Sequence, residues 1–353
     1  MRVLELVLHE TEPAARGAEL GRLAGPEIAE TVRGYLGIFR TFGIPEETVS
    51  RVARQGFEAL ATWAPAQAEE LVAVAGSAGV VLDDLAALVA RTEILAHEPV
   101  SECTTAVALR PGRAPSTIQT WDWYRHLAPT ATLLAFSTAD GTAVRTFAET
   151  GMLAKIGVND AGVGVHFNML GHALDGTAPG VPVHAVVRRI LEEARGVDDA
   201  VRIVRSAPYA ASSAMTVVDR TGGAASIEVS PAGIAVIAPT DGLLVRTNHF
   251  LDPGLAAGGV TDEHSTTGAR FAHARRTGMG LAQAGDLASA AAVLCGAEGA
   301  ASPVCVRPDL RLDPDHRWET LLTISIDLDA VALHWHPGPP SDLRTVDARR
   351  FAP

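Results

Sequence analysis

Apolar residues recur at helix spacing through the first hundred positions. In GPEIAETVRGYLGIFRTFG, Ile28, Val32, Tyr35, Leu36 and Phe39 fall on one face, with Pro26 near the start and Gly43 at the end. The same period predicts helices over PEETVSRVARQGFEALATWA and AQAEELVAVAGSAG, and a further one over VVLDDLAALVARTEIL entered through Asp83 or Asp84. No strand pattern interrupts this block. From Cys103 the pattern changes. TTAVALRP, STIQTWDWY, TLLAFSTADGTAVRTFAE and AKIGVNDAGVGVHFNML are rich in β-branched and aromatic residues, with turn chemistry at Asp140-Gly141 and from Asn159 to Gly162, and they predict strands and hairpins.

A helical interval, PVHAVVRRILEEARGVDDAVRIVRSAP, separates these strands from a second set in SAMTVVDRTGGAASIEVSPAGIAVIAPTDGLLVRTNHF. A second helical stretch covers roughly residues 266 to 295, and WETLLTISIDLDAVALHWHPG closes the pattern with two more strands. Hairpins outnumber crossovers, so the class is α+β, with two sheets packed face to face and helices outside. The expected division is a helical segment over residues 1–102 and a sheet-rich core over 103–353, joined in one structural domain.

Composition narrows the partners. At 353 residues and 47% hydrophobic the chain can bury a large core, while a net charge of −12 argues against a surface built to neutralise nucleic-acid phosphate. No apolar run approaches the roughly 20 residues that span a bilayer, and the start lacks a secretory pattern, so the chain reads as soluble and cytoplasmic with no membrane partner. Three cysteines without a CxxC pair argue against a disulfide framework or a zinc site. His334 and His336 share one face of a strand, but His166, His172, His249 and His264 are scattered, and no metal is expected. Walker loops, GxGxxG after a strand and GxSxG elbows are absent.

Cys103 stands apart because it lies where the helical block gives way to the first strand. A cut there would free an α-amine with a pKa of about 7.7–8.0 beside a thiol of about 8.5, so one residue would carry both nucleophile and base. The sequence expectation is self-cleavage between Glu102 and Cys103, by thiol attack on the preceding carbonyl to give an ester-like intermediate that water opens.

The blocks ARTEIL (90–95), ECTTAV (102–107), QTWDWY (119–124), AETGMLAKIGVNDAGVGVHFNML (148–170), IEVSPAGI (227–234) and VRTNHF (245–250) resemble, in order and spacing, the isopenicillin N acyltransferase family, the acyl-CoA:6-aminopenicillanate acyltransferases. The likeness runs from the N-terminal helices to about Pro339. The CT…D…N…TN pattern is more distantly similar to choloylglycine hydrolases and penicillin V acylases. The resemblance implies a four-layer αββα N-terminal nucleophile (Ntn) hydrolase fold, a cut before Cys103 with the two chains staying associated, and an amidohydrolase or acyltransferase of secondary metabolism. It takes a small acyl donor, acyl-CoA among the candidates, with an amine or water as acceptor, and uses no cofactor.

By the same resemblance Asp122 orients the new amine and nucleophile, Asn248 donates to the oxyanion, and Arg317 stabilises charge near the nucleophile or holds a substrate carboxylate. Asn168, Lys155 and Ser230 match further oxyanion or substrate positions. Lys155 is also the only lysine in the chain. Glu102 replaces the glycine that precedes the nucleophile in penicillin-forming members, and it keeps a second reading in view, an uncleaved ligand-binding or scaffold protein.

Overall fold

The computed structural model describes residues 1–96, 102–125, 130–262, 265–313, 317–344 and 348–353. The chain opens with a strand, β1 (Arg2–Val7), followed by α1 (Pro13–Thr41), α2 (Glu46–Trp63), α3 (Pro65–Ala78), α4 (Leu82–Val89) and α5 (Arg91–Ile94). Six strands follow: β2 (Glu102–Arg110), β3 (Arg113–Tyr124), β4 (Thr130–Ser137), β5 (Ala143–Glu149), β6 (Ile156–Asn159) and β7 (Val163–Met169). Then come α6 (Val183–Glu193) and α7 (Val197–Arg205), and the strands β8 (Ser213–Asp219), β9 (Ala224–Ser230), β10 (Gly233–Ile237) and β11 (Leu243–Arg246). The last part holds α8 (Pro253–Ala256), α9 (Thr267–Thr277), α10 (Leu287–Cys295), β12 (Trp318–Asp327), β13 (Ala332–His336) and β14 (Arg349–Phe351).

The strands form two sheets, ordered β1-β4-β5-β6-β7-β8-β9-β10 and β11-β2-β3-β12-β13-β14. Every pairing of named strands among the described residues is antiparallel except that of β1 with β4. Alternation along β2 and β3 sends side chains to two different cores. Ala106, Ala108 and Ile118 face outward onto Ala274 of α9 and Ala290, Ala291 and Leu294 of α10. Cys103, Val107, Trp121 and Trp123 face the other way, into a core shared with the eight-stranded sheet and the helices α1 to α7. The layers are therefore helix, sheet, sheet, helix, and the α+β, four-layer expectation holds.

Three local readings are corrected. Residues 1–102 are not helical throughout, because the alternating run RVLELV extends the large sheet by pairing with β4 from Arg2–Thr130 to Val7–Ala135. The first helix begins at Pro13, and Pro26 lies inside it just after a kink at Ala24 (φ −128°), as expected where proline removes a ladder hydrogen bond. Asp83 and Asp84 occupy the first turn of α4 and Val81 is its N-cap, so the carboxylates act on the helix dipole and not as caps. Among the described residues no helix is long and apolar enough to cross a membrane.

The helical layer is tightly drawn together where α1 meets α3. A Cβ on Gly17 would stand 2.2 Å from the Glu70 carbonyl oxygen, and one on Gly21 2.7 Å from the Ser77 Cβ. These glycines are needed for close approach. Gly17→Ala is expected to lower stability by about 1–3 kcal/mol through forced separation of the two helices, read as a lower urea midpoint with an unchanged m-value.

Candidate active site

Cys103 lies at the second residue of β2, a strand flanked by β11 and β3. Its register partner on β3 is Trp121, so thiol and indole share the face that looks into the gap between the sheets. The main chain of this one residue is held on both sides. Its nitrogen donates to Asn248 Oδ1 at 2.9 Å, and its carbonyl oxygen accepts from Arg270 Nη1 at 2.6 Å and Asn168 Nδ2 at 3.3 Å.

These partners arrive from three other elements. Asn168 projects from β7 of the opposite sheet, and its Oδ1 accepts from Thr105 Oγ1 at 2.8 Å, which ties the two sheets together two residues beyond the nucleophile. Asn248 follows β11, with its backbone N–H on Thr267 Oγ1 at 2.8 Å and its Nδ2 donating to the Met169 carbonyl at 3.0 Å. Arg270 comes from α9 on the outer face, where it also donates to Thr104 Oγ1 at 3.0 Å and to Asn248 Oδ1 at 2.9 Å. All of these side chains are buried.

Asp122 stands across the β2–β3 ladder from Glu102, one position along from Cys103 and on the opposite face. Its Oδ1 accepts from Thr320 Oγ1 of β12 at 2.6 Å. Asp122 is thus placed beside the Glu102–Cys103 peptide and not beside the thiol.

A second polar group fills the space beyond Trp121. Lys155 Nζ sits 3.8 Å from the Trp121 ring centroid and 2.5 Å from Glu149 Oε2. Glu149 also receives Arg91 Nη2 at 3.0 Å and the Tyr35 hydroxyl at 2.8 Å, and the Arg91 guanidinium lies over the Trp123 ring at 4.8 Å. Burial alone would raise the Glu149 carboxyl, but Arg91 and Lys155 hold it well below the usual carboxylate range. Burial pulls Lys155 down to about 7, opposed by the attraction of Glu149. The Cys103 thiol is among the groups whose field acts on both Lys155 and Arg91.

Residues 111–276 match the family model described as acyl-coenzyme A:6-aminopenicillanic acid acyl-transferase. The matched segment runs from the β2–β3 turn to the last turn of α9. A curated relative from Emericella nidulans, the acyl-coenzyme A:6-aminopenicillanic-acid-acyltransferase 40 kDa form, is 28% identical over 255 residues, covering 69% of this chain and 70% of its own. Among solved structures, penicillin V acylase from Agrobacterium tumefaciens aligns at 14% identity and a TM-score of 0.42, over 71% of this chain and 91% of that one. A mutant of the conjugated bile acid hydrolase from Clostridium perfringens aligns at 11% identity and a TM-score of 0.43, over 70% and 92%.

Of the residues that the family resemblance singled out, Cys103, Asn248, Asn168 and Asp122 converge, and Lys155 lies behind Trp121. Two do not join them. Arg317 precedes β12 and spends its guanidinium on the carbonyls of Leu312 at 2.7 Å and Leu310 at 3.0 Å, so it braces its own loop. Ser230 ends β9, where its Oγ accepts from the Ala232 N–H at 3.1 Å and closes the turn into β10. The arginine at the Cys103 carbonyl is instead Arg270, which had no sequence signal among the neighbouring arginines of TGARFAHARR. Arg91 and Glu149 lie within the ARTEIL and AETGML blocks, a signal that could have found them. Asn248 also differs from its expected part, since it turns its oxygen toward Cys103 and has its NH₂ engaged by Met169. Glu102 is described only in its backbone, and His264 lies outside the described residues. Among the described residues no group of three or more His, Cys, Asp or Glu side chains could hold a metal ion.

His166, on β7 and facing into the gap between the sheets, contacts Gln119 Oε1 of β3 through Nδ1 at 3.0 Å, and burial pulls its pKa down to about 3. Burial also lowers His184, on α6, well below its ordinary value. Both are neutral in the fold, whereas an unfolded histidine takes up a proton below about pH 6.5. Their contribution is therefore complete above about pH 6.5 and is lost as pH falls below it, for His166 down to about 3. Taken from pH 7 to pH 5, His166→Gln is expected to lose about 2 kcal/mol less stability than the unsubstituted protein, measured by urea unfolding at both pH values.

Proposed function

We propose that the chain is a self-processing cysteine amidohydrolase or acyltransferase in which Cys103, once freed from Glu102, carries the acyl group of a small amide or thioester. The observation that supports this most directly is the double hold on the Cys103 main chain. Asn248 takes the nitrogen, and Arg270 with Asn168 take the carbonyl, so cutting the 102–103 bond would leave the new amine where the peptide nitrogen already is. Pre-placement of this kind removes orientational freedom before the reaction begins.

In the reading proposed, the amine takes the thiol proton, and the thiolate attacks the substrate carbonyl to form an acyl-enzyme. The protonated amine then serves the leaving group, and water or an amine opens the thioester. Asn248 is given the task of aiming the amine through Oδ1. Asp122 is assigned to the Glu102–Cys103 bond that must break.

A mainly apolar recess of about 240 Å³ is bounded by Thr266 at the N-cap of α9, Ala269 within it, and Val306, Leu312 and Trp318, with Arg307 and Asp309 also on its wall. Thr266 Oγ1 accepts from Arg270 Nε at 2.9 Å, which links this recess to the nucleophile's clamp, and we assign the apolar part of the acyl group to it. The relative from Emericella nidulans is named for an acyl-coenzyme A donor and 6-aminopenicillanic acid. For this chain the donor class is taken as an acyl thioester or N-acyl amide.

Purified protein should run as two associated chains, the longer beginning at Cys103, and Cys103→Ala should remain a single uncut chain by intact mass. With an N-acyl amine substrate, Asn248→Ala in already cut protein is expected to reduce kcat at least about 10²-fold and to lower the urea midpoint by the equivalent of about 1–3 kcal/mol, because Arg270 and the Met169 carbonyl lose a buried partner. A single full-length chain that turns over the same substrate would overturn the reading.

A further inference from the structure

In the uncut chain the base that serves the mature enzyme does not yet exist. The Cys103 nitrogen is then a peptide N–H, committed as a donor to Asn248 Oδ1, and it has no free lone pair for the thiol proton. Self-cleavage nevertheless needs the thiolate, because the neutral thiol is a poor nucleophile. The proton must go to another group on the face where the thiol lies.

The charge balance behind Trp121 identifies that group. Arg91, Lys155 and Glu149 are 1%, 2% and 0% exposed, two cations around one anion in a region closed to water. One Arg–Glu pair would already be neutral, and a second buried ammonium without its own counter-ion is costly. The surplus is removed if Lys155 gives up its proton or if an anion forms next to it. The thiol of Cys103, whose register partner Trp121 carries Lys155 on its ring, is the group that can supply such an anion.

We propose that Lys155 is the base for self-cleavage, taking the Cys103 thiol proton in the uncut chain and returning it to the departing nitrogen. This rests on the reading of Cys103 given above. The lone pair of neutral Lys155 accepts the S–H proton, and the thiolate sulfur bonds to the Glu102 carbonyl carbon. The carbon–nitrogen bond then breaks as the ammonium hands its proton to the Cys103 nitrogen, leaving Glu102 as a thioester on sulfur. One water hydrolyses that thioester to the Glu102 carboxylate and the free thiol, so the net change is hydrolysis of one peptide bond. Glu149 and the indole of Trp121 position the lysine.

The titration behaviour agrees in direction. Burial and Arg91 both lower Lys155, to about 7, while Glu149 and the Cys103 thiol raise it, so the neutral form is accessible near neutrality. The other ionisable groups around it are Tyr35 on α1, raised well above its ordinary value by burial, His184 on α6, lowered by burial, and Glu93 on α5, raised by burial to about 7. Glu93 is the group whose titration could be confused with that of Lys155, and a variant separates them.

The test uses full-length chain made by cell-free synthesis at pH 5.5 and then shifted to buffers from pH 6 to 9, with uncut and cut species followed by intact mass. The wild-type rate should rise through about pH 7 and level off above it, the sign expected for a base that must be unprotonated. Lys155→Met and Lys155→Arg should both cut at least about 100-fold more slowly, because arginine keeps the charge and the ion pair but stays protonated. Glu149→Gln should move the inflection to lower pH, and Glu93→Gln should leave an inflection in place. Cutting of Lys155→Arg at the wild-type rate and with the wild-type inflection would overturn the inference. Should both Lys155 variants fail to fold, the Glu149→Gln profile decides, and an unmoved inflection counts against it. A wild-type chain that stays whole, or is cut elsewhere, overturns the Cys103 reading itself.

Discussion

The structure around the nucleophile depends on the hydrogen bonds to a single residue's main chain. Cys103 N–H meets Asn248, and Cys103 C=O meets Arg270 and Asn168. Those three side chains come from the segment after β11, from α9 and from the facing sheet. Helix, near sheet and far sheet must therefore be assembled before the residue is held. The hold is dry, and in such surroundings each bond is stronger and each unmatched partner more costly than at the surface.

This clamp explains why so many polar residues are buried nearby. Thr105, Gln119, His166 and Asn168 bridge the gap between the sheets, where a sandwich core would ordinarily be apolar. Thr267 anchors Asn248, and also bonds Thr247 and His249. Each of these groups has a partner whose loss would leave a buried polar atom unsatisfied. The Glu149 cluster adds a charged counterpart on the other side of Trp121. The two networks bracket the nucleophile, one holding its main chain and the other setting the field at its side chain.

The sheets serve the same end. Because alternation sends Cys103 inward and Thr104 outward, Arg270 can reach the main chain from the outer helical layer without crowding the thiol. The register that pairs Cys103 with Trp121 also pairs Glu102 with Asp122, so one ladder places an indole beside the nucleophile and a carboxylate beside the preceding peptide. A slip of one residue would exchange these faces.

The sequence by itself determined the change of hydrophobic period near residue 102, the hairpins and the two-sheet class, because those follow from local alternation and turn chemistry. Cys103 stood out by its place at that change of period, whereas Asp122, Asn168 and Asn248 were marked only by the resemblance of their short blocks to an acyltransferase family. Tertiary structure alone decided the rest. RVLELV alternates as a strand does, but it stands alone before a helical block, and its partner β4 begins only at Thr130, far along the chain. Arg270 lies 167 positions from Cys103 and Glu149 lies 58 from Arg91, and no local pattern reports which arginine of a surface-like helix turns inward. Arg317 went the other way, kept by its own loop carbonyls. A side chain's role at a buried site is set by which charges and hydrogen-bond partners the fold brings to it, and those partners are distant in the chain.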